Sequence, residues 1–192
     1  MKNMTKRSFI IALMLGVYAL TNTTLSAADK KVLTEDELIS ELSGANEDKV
    51  ASAMVQLEKR HPASTKALPA IKKLLTDPRE KVRRKAVRVL GVLHAEVDAT
   101  DLKNITAMFK AANSLEVIDA LKGLSGLKAE STIPEILPLL QSPTRNVVRD
   151  AIRAIASLGN KSHIPSIEPL LKHSDAAVKK DAADAIFALQ KK

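Results

Sequence analysis

Apolar residues in this chain fall on helical spacings, and one block of them returns almost unchanged. Ile133-Pro134-Glu135-Ile136-Leu137-Pro138-Leu139-Leu140 recurs 31 residues later as Ile164-Pro165-Ser166-Ile167-Glu168-Pro169-Leu170-Leu171, and an earlier version reads Leu68-Pro69-Ala70-Ile71-Lys72-Lys73-Leu74-Leu75. A diverged counterpart keeps Leu102, Ile105, Met108 and Phe109, with Lys103 in place of the proline. Each segment leads into a second apolar stripe: Val82, Ala86, Val89, Leu90 and Leu93, then Ala120, Leu124 and Leu127, then Val147, Ala151, Ile155 and Leu158, then Val178, Ala182, Ile186 and Leu189. At about 100° per residue the members of a stripe share one helix face. A helix pair with one apolar face cannot bury it alone, so its recurrence predicts a stacked array instead of one globular core.

Boundaries follow from helix signals. Thr34 and Glu37 have capping-box spacing, so a helix is expected from there, with Leu38, Ile39 and Leu42 inside. Val50, Ala53, Met54 and Leu57 then define a second helix, and this pair over 29–63 is expected to cap the array. Four repeats follow at 64–101, 102–131, 132–162 and 163–192. Asp77, Pro78 and Glu80 suit the N-cap, N1 and N3 positions of a helix, and Thr132 with Glu135 has capping-box spacing again. Gly159 is a helix stop. Pro138 and Pro169 sit within first helices and are expected to bend them. Gly123 and Gly126 each lower helix propensity by about 1 kcal/mol, which marks the second repeat as the soft point.

The N-terminus follows a different logic. Lys2, Lys6 and Arg7 precede a 12-residue apolar run over 9–20, followed by polar residues and Ser26-Ala27-Ala28. This is the form of a secretory signal peptide over 1–28, cleaved after Ala28 or Ala27, and the run is shorter than the ~20 residues of a membrane span. The expected location is therefore periplasmic or secreted, with no span left in the mature chain. Without Cys there is no lipobox, disulfide or thiolate chemistry. Cleavage removes three cations and no acid, so the formal charge of +8 falls to about +5. It also removes Phe9 and Tyr18, leaving Phe109 and Phe187 as the aromatic residues of the mature chain. Stacking platforms for single-stranded nucleic acid and aromatic interface anchors are thus largely missing.

Val82-Arg83-Arg84-Lys85-Ala86, Val147-Val148-Arg149-Asp150-Ala151 and Val178-Lys179-Lys180-Asp181-Ala182, with Leu90, Leu93, Ile155, Leu158, Gly159 and Leu189, resemble the short HEAT-like repeat of the phycobilisome-lyase type. The second repeat has Glu116-Val117 where that pattern has Val-Arg. The resemblance implies an all-α, right-handed α-α superhelix of about five helix pairs, its second helices lining a concave face. Aligned positions then form a row of Arg84, Ile118, Arg149 and Lys180, a row of Lys85, Asp119, Asp150 and Asp181, and a row of Arg88, Lys122, Arg153 and Asp184. The candidate partner-binding residues are Lys81, Arg84, Lys85, Arg88, Lys122, Arg149, Arg153 and Lys180. Two readings stay open: the acids pair with basic neighbours and hold the register, or the rows form a groove for an acidic or mixed-charge peptide. Reversing Arg84 and Arg88 together is expected to weaken capture without lowering the melting temperature. Phe187 is expected on the solvent side of the last helix, folding over the end of the array, with a partner contact as the alternative.

No GxSxG, P-loop or GxGxxG motif occurs, His61, His94, His163 and His173 lack zinc-site spacing, and the Ser162-His163 pair has no spacing that favours a triad. The expectation is a non-catalytic binding or scaffold module without cofactor or metal, bound to a protein or acidic peptide. The alternatives are a bilin-lyase-like relative and a nucleic-acid binder using the basic helix of the first repeat.

Overall fold

The computed structural model describes residues 33–60 and 63–192; the expected export segment at 1–28 lies outside the described residues. The unit Thr34–Lys192 contains ten α-helices and no strand among the described residues. The first pair is α1 (Glu35–Glu41) and α2 (Glu47–Lys59). Next come α3 (Leu68–Lys73) with α4 (Glu80–Val92), α5 (Ala99–Ala107) with α6 (Ser114–Gly126), α7 (Ile133–Ile136) with α8 (Arg145–Leu158), and α9 (Ile164–Ile167) with α10 (Ala176–Gln190). Five helix pairs therefore stack, and α2, α4, α6, α8 and α10 pack side by side in chain order.

The stripes read from the sequence form the core. Val82, Ala86, Val89 and Leu90 of α4, Ala151 and Ile155 of α8, and Val178, Ala182 and Leu189 of α10 have no exposed surface. Each second helix packs its own first helix below and the next second helix beside it, so burial passes along the chain. Thr34 caps α1 as expected, its hydroxyl accepting from the Glu37 amide while Glu37 accepts from the Thr34 amide.

Other helix starts differ from expectation. Asp77 does not cap α4: its carboxylate accepts from the Arg79 amide and guanidinium, Arg79 takes the N-cap position, and the helix begins at Glu80. Thr132 makes no capping box, because its hydroxyl donates to the Ala129 carbonyl at 2.7 Å within a 3-10 turn. Asp98 and Asp101 form a capping box that starts α5 at Ala99.

The prolines act through a change of helix type. α7 and α9 are one turn long and continue as 3-10 helix over Leu137–Gln141 and Glu168–Lys172, with Pro138 and Pro169 in the first turn of the tighter segment. Proline cannot donate an i−4 bond, and the 3-10 turn absorbs that loss. Since α3 and α5 also end in 3-10 turns without such a proline, the tightening belongs to the repeat.

Gly91, Gly123 and Gly126 sit where α4 and α6 meet. A Cβ on Gly123 would lie 2.5 Å from Val87 Cγ2, and one on Gly126 would lie 2.6 Å from the Gly91 carbonyl oxygen. The α4 and α6 backbones touch here. Glycine at these positions leaves the space that this close helix approach needs.

Candidate functional site

The second helices present their charged positions on one face, and most of the candidates there already have partners. Arg84 Nε donates to Asp119 at 2.8 Å across the α4–α6 junction, and Arg149 Nε donates to Asp181 at 2.6 Å across α8–α10. These rungs use the same two register positions. Arg153 donates to Asp181 at 3.3 Å and lies 3.5 Å from Asp150 on its own helix. Lys85 reaches Glu58 of α2 at 3.3 Å, Lys81 pairs with Asp48 of α2, and Lys180 pairs with Asp184 one turn on at 2.6 Å. Arg88 and Lys122 are exposed and have no hydrogen-bond or ion-pair partner among the described residues.

Burial sorts these pairs by strength. Asp119 is only 6% exposed, whereas Lys180 and Asp184 lie in water. Exposed pairs contribute ~0–1 kcal/mol, while losing one partner of a buried pair costs about 3–5 kcal/mol. Burial would raise the Asp181 carboxyl, but the hydrogen bond from Arg149 and the charges of Arg153 and Arg149 outweigh it and hold the group below the usual aspartate range. At Arg84 burial is the largest single influence and opposes the charge, but the hydrogen bonds and charges of Asp119 and Glu80 together outweigh it and leave the guanidinium more firmly protonated than usual.

A further lock lies on Arg83, outside the candidate residues. Arg83 holds Glu116 through Nε at 2.7 Å and a terminal nitrogen at 3.0 Å, and donates to the Asp77 and Pro78 carbonyls. Glu116 is 3% exposed and occupies the register where the other repeats bury Val82, Val147 and Val178. The signal was present as a mismatch: a carboxylate at a core position requires a cation, and Arg83 stands one repeat earlier. The fork also raises the Arg83 pKa above its ordinary value, chiefly through the Glu116 hydrogen bond.

Two grooves open on this face. One, of about 490 Å³, lies between α2 and α4 and gathers Lys81, Arg84, Lys85 and Arg88 with Asp48 and Asp119. The other, of about 320 Å³, lies between α6 and α8 and gathers Lys122, Arg153 and Asp150 over Leu121 and Ala154. Arg149 and Lys180 line neither groove. Among the described residues no three metal-ligating side chains gather, and no helix is long and apolar enough to cross a membrane. Ser162 and His163 are engaged in a turn: the Ser162 hydroxyl donates to Asn160 Oδ1 at 2.7 Å, and His163 Nδ1 accepts the Asn160 amide at 3.2 Å. Phe187 does not fold over the end; it is 60% exposed, with the Lys191 ammonium 3.8 Å from its ring centre.

Stacked helix pairs with aligned surface rows define an α-solenoid. Sequence profiles described as HEAT repeat and HEAT repeats match residues 67–96 and 105–187. The chain belongs to the HEAT-repeat family. It is similar to the structure of the CpcE–CpcF complex of phycocyanin lyase from Nostoc sp. PCC7120, with 21% identity and a TM-score of 0.71 over 88% of this chain and 70% of that one. It is also similar to a designed armadillo repeat protein in complex with the peptide (KR)4, with 20% identity and a TM-score of 0.64 over 80% of each chain. An engineered protein gives 20% identity and a TM-score of 0.64 over 82% of this chain and 81% of that one. No curated protein matches the sequence. At these identities the likeness is one of fold.

Proposed function

We propose that the protein is a non-catalytic binding module, exported to the periplasm or the cell exterior, that holds an acidic segment of a protein partner on its second-helix face. One observation carries this reading. On a face where the other candidate cations meet a carboxylate, Arg88 and Lys122 stay exposed without one, each beside a groove. A charged group left over after the internal pairs close is available to a partner, and its field favours an oppositely charged one. The (KR)4 complex of the designed armadillo protein lends support by analogy: a similar stack is paired there with a charged peptide, and the charges here suit the opposite sign. Lys2, Lys6, Arg7, the apolar run over 9–20 and Ser26 to Ala28 support export.

Selection from a displayed random-peptide library tests the binding reading. Enriched peptides should be rich in Asp and Glu and should be lost when Arg88→Glu and Lys122→Glu are combined. An enriched set without acidic bias, or one retained by the variant, would reject it. N-terminal sequencing of protein from intact cells should read from Asp29 or Ala28, and a chain still starting at Met1 would remove the case for export.

The likeness to the phycocyanin lyase complex favours one second reading, a lyase-type module that handles a bilin on a protein partner. Incubation with an open-chain bilin separates the two. A shifted visible absorption band would favour the lyase reading, and an unchanged spectrum the binding module.

A further inference from the structure

The junction between the second and third repeats is built differently from the others. Side chains bridge α2 and α4 through Lys81–Asp48 and Lys85–Glu58, α4 and α6 through Arg83–Glu116 and Arg84–Asp119, and α8 and α10 through Arg149–Asp181 and Arg145–Asp175. Among the described residues no hydrogen bond or ion pair joins α6 to α8. The register explains the gap. Arg84 and Arg149 reach across from one position, and in α6 that position holds the buried Ile118. Asp150, which stands where Asp119 and Asp181 accept their rungs, has among the described residues only the long contact to Arg153 on its own helix.

The 320 Å³ groove lies along this unbridged seam. Its charged groups are Lys122, Arg153 and Asp150, with Arg149 and Asp181 closed on each other nearby. These five leave one cation in excess. That excess resides on Lys122, which has no partner among the described residues, while the Arg153 side chain stays 53% exposed and keeps N–H donors free beyond those given to Asp150 and Asp181. Leu121 and Ala154 floor the groove, and an apolar floor strengthens an ion pair by thinning the water around it.

We infer that this groove receives an Asp or Glu side chain of the protein partner, held between Lys122 and Arg153, and that the bound carboxylate supplies the α6–α8 link that Ile118 withholds. The inference rests on the proposed binding function and adds its anchor and its consequence: binding stiffens the seam that the chain itself leaves unbridged.

The test uses the mature chain and a hexaglutamate peptide at low salt, read by titration and by amide hydrogen exchange. Lys122→Gln should weaken the peptide about tenfold, a loss typical of a removed charge-assisted contact, while Lys161→Gln, an exposed cation outside the groove, should change it less than about twofold. The peptide should slow exchange in α6 and α8 more than in α4 and α10. Ile118→Arg, which restores the missing rung toward Asp150, should slow exchange at the seam in the free protein and remove the extra protection given by the peptide. Should that variant fold poorly, the Lys122→Gln arm decides alone, because Lys122 is exposed and its replacement leaves the core untouched. Equal effects of Lys122→Gln and Lys161→Gln, with binding lost only in Arg88→Gln, would overturn the anchor and leave the binding function standing. A wild-type protein that ignores the peptide would overturn both. Equal protection of the seam by inorganic phosphate or by duplex DNA of matched charge would also overturn the inference, because any anion would then serve.

Discussion

Glu116 and Arg83 show how one side chain can be costly and still hold the array in register. With Glu116 at 3% exposure, Arg83→Ala leaves a carboxylate in the core and should cost about 3–5 kcal/mol in chemical denaturation. Glu116→Val installs the residue type of the other repeats at that register, and Arg83 keeps the Asp77 and Pro78 carbonyls, so the loss should be smaller. Equal losses would mean that the fork does not act as a buried pair. Gly123→Ala poses a sharper opposition. Helix propensity favours alanine by about 1 kcal/mol, yet the added methyl meets Val87 at 2.5 Å, and overpacking of this kind costs roughly 1–3 kcal/mol. Net destabilisation is expected, and a raised melting temperature would show that the α4–α6 approach is looser than described. Arg84 belongs to the same class: reversing it would set a carboxylate against Asp119, so reversal of Arg88 with Lys122 probes the surface without that penalty.

At the scale of the helices, the apolar register was legible from periodicity alone, because Ala86, Ala151 and Ala182 recur at fixed distances from neighbouring Val and Leu positions. All three have no exposed surface, so an Asp at any of them should cost more than about 3 kcal/mol as an unpaired charge in the seam. Unchanged melting of the three variants would contradict the register. Helix starts were less legible. Asp77 carries the residue type of an N-cap, but the nearby Arg79 competes for its carboxylate and wins. For the glycines of α6, propensity describes a helix by itself and says nothing of the α4 backbone that they touch. Which cations remain unpaired could not be read at all. That depends on whether side chains some 30 residues apart meet, and Arg88 and Arg84 are alike in sequence although only Arg84 finds an acid.

For the whole molecule, ion-paired and helix-capping carboxylates make stability depend on pH. Asp181, Asp77 and Asp175 titrate below the ordinary aspartate range. For Asp181 arginine partners overcome burial, for Asp77 the Arg79 hydrogen bond leads, and for Asp175 the helix-cap bond from the Val178 amide leads. Protons therefore bind the unfolded chain first. The contribution is complete above about pH 4, the range of an unfolded aspartate, and is lost as pH falls through the lower folded-state values. Melting temperature should hold from pH 7 to about pH 4.5 and then drop, less steeply in Asp181→Asn; a flat acid limb would argue against these pairs. Under the proposed binding function, the basic residues divide into those that hold the stack and those left to face a partner. The most direct test of this division measures melting temperature and hexaglutamate affinity together in Arg149→Gln and in Arg88→Gln combined with Lys122→Gln. Arg149→Gln should lose about 1–3 kcal/mol of stability and bind as the parent does, while the double variant should melt with the parent and lose the peptide. Stability and affinity falling together in both variants, or a double variant that binds like the parent, would contradict the division.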